Sequence, residues 1–285
     1  MAHGILGIDH TLVGVEDLDQ AAMAWTRLGF TLSPRGRHIG WGTANYCVMF
    51  ERDYIELLGI LDPTQFVNGL DRFLARQGEG LMGFAYASAD VAATARSLGA
   101  AGLAPSDPKD LARQLELPEG TVLPRFKLVF LPPDAAPGVS SFVTQHLTPD
   151  LLRRPEWLIH ANGAVGLKGI TIAAEDPVAL IPAYERLFGP QSVNRTDDIV
   201  TIHAGRHTIL FANRWDLEAL HPELELPDGD LADPRIVLMT LGSADLERTI
   251  DHLTFGQIEF EQRRGYAVLV PGFTATGAAL EFVPA

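Results

Sequence analysis

The 285-residue sequence has one cysteine, few basic side chains and no long apolar run, and each shortage excludes something. A single thiol, Cys47, rules out an intrachain disulfide framework and any zinc or iron–sulfur site built from several thiolates. It lies in Tyr46-Cys47-Val48-Met49-Phe50, where it reads as a small buried hydrophobe. Lysine and arginine together number 22 against 36 acidic residues, a formal net charge of −14. Nucleic acid and anionic membrane both need a basic footprint, so neither is an expected partner. No stretch approaches the roughly 18 apolar residues of a membrane span. Met1-Ala2-His3-Gly4 does not open a signal peptide, and the expected location is the cytoplasm. No Gly-x-Gly-x-x-Gly, Walker or nucleophile-elbow pattern supports a nucleotide or serine-hydrolase reading.

What the chain does have is a repeat. Residues 5–15 are an apolar run bounded by glycine, as suits a buried strand. Asp17 stands at an N-cap position with Gln20 three residues on, and Leu18, Ala21, Ala22, Trp25 and Leu28 follow at helical spacing up to Gly29. Phe30–Ser33, His38–Phe50 and Asp53–Ile60 read as strands, giving the order β-α-β-β-β. The same acidic cap and closing glycine recur at Asp90 and Gly99, Asp176 and Gly189, and Asp245 and Gly256. Pro182 should shorten or kink the third helix. Leu103–Glu119 reads as a polar, proline-bearing insertion. One βαβββ unit leaves a sheet face uncovered, so units must pair. The expectation is an α+β chain of four βαβββ units in two pairs, residues 1–147 and 164–285. Residues 148–163 would be the connector, and Trp215–Asp233 a further connector.

Paired βαβββ units with His10 on a first strand and Glu56 on a last strand resemble the vicinal oxygen chelate superfamily. Glyoxalase I, extradiol dioxygenases and the bleomycin- and fosfomycin-resistance proteins belong to it. The chain is most similar to its glyoxalase-like domain family. The stretches that carry this are Ile8-Asp9-His10, His38-Ile39-Gly40-Trp41-Gly42-Thr43-Ala44-Asn45, Tyr54-Ile55-Glu56-Leu57-Leu58 and Phe142-Val143-Thr144-Gln145-His146. Thr148-Pro149 and His160-Ala161-Asn162-Gly163-Ala164 fit as well. The resemblance implies two cupped mixed sheets of glyoxalase-like type, with a divalent metal ion held in a cup between first and last strands. It also implies an enzyme, a lyase, isomerase or dioxygenase, acting on a small carbonyl or hydroxy-carbonyl compound. The alternative is a metal-free protein that binds and sequesters a small molecule, as resistance proteins of this fold do. Completion of the cup by a homodimer stays open.

Carried over residue by residue, His10 and Glu56 are metal ligands, and the third is Gln145 or His146. Strand alternation lets only one of these two point inward. Aligning the acidic caps puts Gly83 where a further histidine would stand. Gly169 and Leu238 fill the same position in the second pair, which keeps only Glu281 at the Glu56 position and reads as a degenerate copy. Glu56 is also the candidate catalytic base, because a carboxylate buried in Tyr-Ile-Glu-Leu-Leu is costly unless paired, protonated or metal-bound. Left free there, it would have a raised pKa. His38 and Asn45 are candidates to hydrogen-bond a substrate carbonyl, or they shape a bulge. Trp41, Tyr46 and Tyr54 serve as aromatic walls or as core. His160 and Asn162 are expected to pin the connector, and His203 and His207 to face solvent.

Overall fold

The computed structural model describes residues 2–226, 231, 233–263 and 266–285. Nine strands form the first sheet: β1 (Ile5–Gly14), β2 (Gly36–His38), β3 (Thr43–Met49), β4 (Tyr54–Ile60), β5 (Gly80–Ser88), β6 (Lys109–Leu117), β7 (Gly120–Val122), β8 (Arg125–Phe130) and β9 (Ser140–His146). Eight form the second: β10 (Ala164–Ala173), β11 (Val193–Thr196), β12 (Ile199–Ala204), β13 (His207–Ala212), β14 (Arg235–Ser243), β15 (Glu261–Arg263), β16 (Ala267–Val270) and β17 (Leu280–Pro284). The helices are α1 (Leu18–Arg27), α2 (Leu70–Gln77), α3 (Val91–Ala100), α4 (Ile181–Phe188), α5 (Arg214–Leu220) and α6 (Leu246–Phe255).

Four βαβββ units are present. In each, the first strand runs parallel to the last: β1 with β4, β5 with β9, β10 with β13 and β14 with β17. Antiparallel pairs β1–β5 and β10–β14 join the units two by two. The acidic caps act as the sequence implies. Asp17, Asp90 and Asp245 accept amide hydrogen bonds from the first turns of α1, α3 and α6. Asp176 accepts from Ala179 ahead of α4, which starts only at Ile181 with Pro182 in its first turn.

Three segments differ from expectation. Phe30–Ser33 contributes a single bridge, Leu32 to Val48, and the edge strand forms instead at Gly36–His38, beyond Pro34, which has no N–H for a ladder. The polar insertion holds β6, whose residues Leu111, Arg113, Leu115 and Leu117 alternate with Ala112, Gln114 and Glu116. The connector Trp215–Asp233 carries most of α5; its residues 227–230 and 232 lie outside the described residues.

The two sheets close differently. In the first, β2 pairs with β6 as well as β3, so the sheet curls into a barrel-like cup. The second stays open, and Leu217, Leu224 and Leu231 from the segment after β13 fill its concave side. Helices α1, α3, α4 and α6 turn their apolar faces into one cluster that spans both sheets. Phe30 stacks on Phe282 across it, and Tyr86 meets Phe188 edge-on.

Polar clamps also tie the sheets together. His160 accepts from the Thr31 amide and donates to the Met49 carbonyl, while Asn162 bridges Leu28 and Ala164. Both pin the connector, as expected. His203 is exposed, but His207 is buried, against the expectation of solvent exposure. Its Nδ1 accepts from the Ile8 amide at 2.9 Å, so Nε2 carries the proton and donates to Asp53 at 3.3 Å. Asp53 also takes the Leu167 amide and Arg206. The turn at Gly205 brings His207 there: Gly7 bridges Gly205, and a Cβ on Gly7 would stand 2.8 Å from His207 Nδ1. His207→Ala strands the Ile8 amide and takes from Asp53 Oδ2 one of its two donors, leaving Arg206. It should cost about 1–3 kcal/mol and lower the thermal midpoint by several degrees; an unchanged midpoint would show the clamp to be idle.

Candidate active site

The first cup holds a cavity that opens to solvent at its mouth. Its polar wall comes from strands that closure brings together. β1 supplies His10, β2 His38, β3 Asn45, β4 Glu56 and β6 Arg113. Leu12, Trp41, Phe126 and Phe142 give the apolar wall.

Glu56 is 5% exposed and lies at the centre of the polar groups. Asn45 Nδ2 donates to its Oε1 at 2.5 Å, and His38 Nε2 is 3.6 Å from the same oxygen. His10 Nε2 is 3.4 Å from Oε2. Burial alone would raise this carboxyl, as expected of a free one. His38, His10, Asn45 and Arg113 outweigh burial and hold it below the usual range. Glu56 is therefore an ionised carboxylate at neutral pH. His38 goes the other way: burial, helped by Arg113 and His10, pushes it down to about 4 against the pull of Glu56.

His10 is fixed on every side. Its ring stacks on Tyr54 at 4.3 Å between centroids and meets Phe142 edge-on. Its Nδ1 lies 2.8 Å from Asp9 Oδ1, and His146 Nε2 reaches the same oxygen at 2.9 Å. A register irregularity between Ile8 and His10 lets adjacent Asp9 and His10 engage one another. Burial opposes charge on Asp9, but the two imidazoles outweigh it and keep the carboxyl far below the usual range. An ionised carboxylate only accepts, so His10 donates through Nδ1. In the neutral ring, the Nε2 lone pair then faces Glu56.

A profile of the glyoxalase-like domain family matches residues 8–188. The chain belongs to that family. A hypothetical protein from Staphylococcus aureus has the same fold at 12% identity and a TM-score of 0.68, over 98% of this chain and 99% of that one. A mutant 4-hydroxymandelate synthase from Streptomyces coelicolor follows at 14% identity and a TM-score of 0.59, over 99% and 93% of the two chains. A xylose isomerase-like TIM barrel/4-hydroxyphenylpyruvate dioxygenase fusion protein gives 13% identity and a TM-score of 0.55, over 100% of this chain and 49% of that one. These identities speak to fold alone, a vicinal oxygen chelate fold. No curated protein matches the chain.

Within this glyoxalase-like cup, the structure brings His10, His38, Asn45 and Glu56 together, with Trp41 and Tyr54 on the walls. It does not bring in Gln145 or His146. Phe142 and Thr144 line the cavity, so Gln145 is on the opposite face, where Oε1 accepts from the Val91 amide at the start of α3. His146 stands behind His10 as the second partner of Asp9, and its Nδ1 is buried without a partner. Among the described residues no group of three or more histidine, cysteine, aspartate or glutamate side chains is arranged to hold a metal ion. What the cup offers is a pair, His10 and Glu56, with His38 beside it.

Asp9 and Arg113 are the members that sequence reasoning missed. Asp9 adjoins His10, but its role depends on the bulge. Arg113 stands directly opposite His38 only because β2 pairs with β6. The signal available was its inward position in the alternating run Leu111, Arg113, Leu115.

The shift on His38 fixes a pH window. The unfolded chain takes up a proton near 6.5, while the fold resists until about 4. Stability is therefore full above 6.5 and falls as pH drops toward 4. His160, pushed by burial to about 4, behaves alike. Asp9 and Glu56 lose their contributions only below the ordinary carboxylate range. Denaturant titrations at pH 7 and pH 5 should differ by about 2 kcal/mol per histidine. His160→Gln should remove its share; a slope unaltered by that substitution would contradict the assignment.

Proposed function

We propose that the chain is a metal-dependent enzyme of the vicinal oxygen chelate type, working in the first cup on a small carbonyl or hydroxy-carbonyl compound. The observation that carries this is the placement of His10 between two carboxylates, Asp9 at Nδ1 and Glu56 at Nε2. With Nδ1 committed to Asp9, a lone pair on Nε2 and an oxygen of Glu56 face each other across 3.4 Å. Two acceptors that close need a positive charge between them, either a second proton on His10 or a cation. A neutral imidazole backed by a carboxylate, opposite an ionised carboxylate, suits a divalent cation, and Asp9 is the outer partner that such a ligand ordinarily has. The fit is that of a two-point site, leaving the remaining coordination positions to substrate oxygens and water.

When bound, a divalent cation would polarise a carbonyl and stabilise negative charge developing on its oxygen. Glu56, kept ionised and desolvated, is placed to take a proton from the carbon beside that carbonyl. Asn45 fixes the Glu56 oxygen it touches, and Trp41, Phe126 and Phe142 exclude water. Lyase, isomerase and dioxygenase chemistry all remain open to such a site. The second pair serves as a scaffold in this reading. Its Glu281 is neutralised by Arg263 at 3.4 Å, with His221 Nδ1 3.7 Å away, and its cup is filled by leucines. No helix among the described residues is long and apolar enough to cross a membrane, and a cytoplasmic location remains part of the proposal.

A second reading has its own support. Asn45 already satisfies one Glu56 oxygen, and no third ligand stands ready, which favours a metal-free protein that sequesters a small molecule. Metal analysis of protein purified without chelator separates the two. The enzyme reading expects about one divalent ion per chain, lost in His10→Ala and in Glu56→Gln while circular dichroism stays unchanged. Metal-free wild-type protein would transfer the cup to the sequestering class.

A further inference from the structure

Arg113 is 1% exposed, yet among the described residues the only hydrogen bond its side chain makes is from Nη1 to the Cys47 thiol at 3.0 Å. Sulfur is a weak acceptor, and burial pushes the thiol pKa up, so Cys47 stays neutral. The guanidinium lies 6.0 Å from the Phe126 ring centroid. Its Nε and Nη2 are buried with no partner. These two N–H groups form one edge of the guanidinium fork, the edge that takes both oxygens of a carboxylate side by side. A buried donor left unmade is costly, so this edge destabilises the unliganded fold. The cup's own carboxylate does not relieve it, since the oxygens of Glu56 face His10, His38 and Asn45. Asn45 Oδ1, the other unpartnered polar atom of the cavity wall, makes no hydrogen bond to the guanidinium.

We propose that Arg113 is the specificity residue for a carboxylate on the substrate, which makes the substrate of the first cup a small monocarboxylate with an apolar or aromatic body. The Nε–Nη2 edge holds the carboxylate by two parallel hydrogen bonds. Trp41, Phe126 and Phe142 receive the body. The proposal rests on the enzyme reading for the location of the site, and it adds the chemical class of what enters.

Calorimetric titration of the full chain with benzoate and with its neutral isostere benzamide tests this. The expected result is benzoate binding at least tenfold tighter than benzamide. That preference should disappear in Arg113→Met, weaken in Arg113→Lys, and survive in His10→Ala. Arg113 also helps to hold the buried Glu56 charge, so circular dichroism checks that Arg113→Met folds, and Arg113→Lys, which keeps the charge, carries the test if it does not. Equal binding of the two probes, no benzoate binding at millimolar concentration, or a preference that persists in Arg113→Met would overturn the proposal. Metal content, read on the same preparations, reports separately on the His10–Glu56 pair, so either assignment can fail alone.

Discussion

A carboxylate placed among leucines must be answered by something, and at the first cup the arrangement of neighbouring groups answers Glu56. Its strand, Tyr-Ile-Glu-Leu-Leu, is buried along its length, so solvent cannot stabilise the charge. Two imidazoles, one amide and a guanidinium hold it ionised instead. Each answering group is itself restrained. His10 is oriented by Asp9 and Tyr54, His38 by Thr43, and Asn45 fits because residue 36 is glycine, where a Cβ would run into the amide oxygen. The same low-dielectric setting that makes an unpaired charge costly makes these contacts directional and strong.

Closure of the first sheet is the structural condition for that set. His38 and Arg113 enter the cup because β2 and β6 pair, which joins the first unit of the repeat to the second. The second sheet keeps the same internal registers, with Thr240 opposite Glu281 as Leu12 is opposite Glu56. It lacks closure, and leucines from the connector take the space that a ligand would need. One fold thus carries two cups with different fates, decided by a short edge pairing and a few side chains.

Much of this was legible in the residues. The four acidic residues and three of the four glycines located the repeat, because a cap and a helix stop are local chemistry; Gly99, expected to end the second helix, lies inside α3, which runs to Ala100. His10 and Glu56 were legible as a pair because both sit in apolar strands where a polar group needs a reason. Gln145 and His146 were ambiguous because face selection depends on register; register places Phe142 and Thr144 inside and Gln145 outside, while His146, on the inner face, packs on Tyr54 and Phe126 and is taken up by Asp9. His207 was misjudged as exposed because the turn at Gly205 is packed against β1, a long-range contact that no local pattern encodes. Arg113 lay in a segment read as an insertion; its alternation was visible, but its partner strand was not.

The account turns on which nitrogen of His10 holds the proton and what faces the other. Nitrogen-15 NMR of the histidine rings, recorded with and without a chelator, measures this directly. The account predicts a protonated Nδ1 on His10 and an Nε2 resonance that shifts when the cation is removed and returns when it is restored. A neutral His10 protonated on Nε2, indifferent to chelation, would contradict it, because Nδ1 could not then donate to Asp9 and nothing positive would be needed between His10 and Glu56.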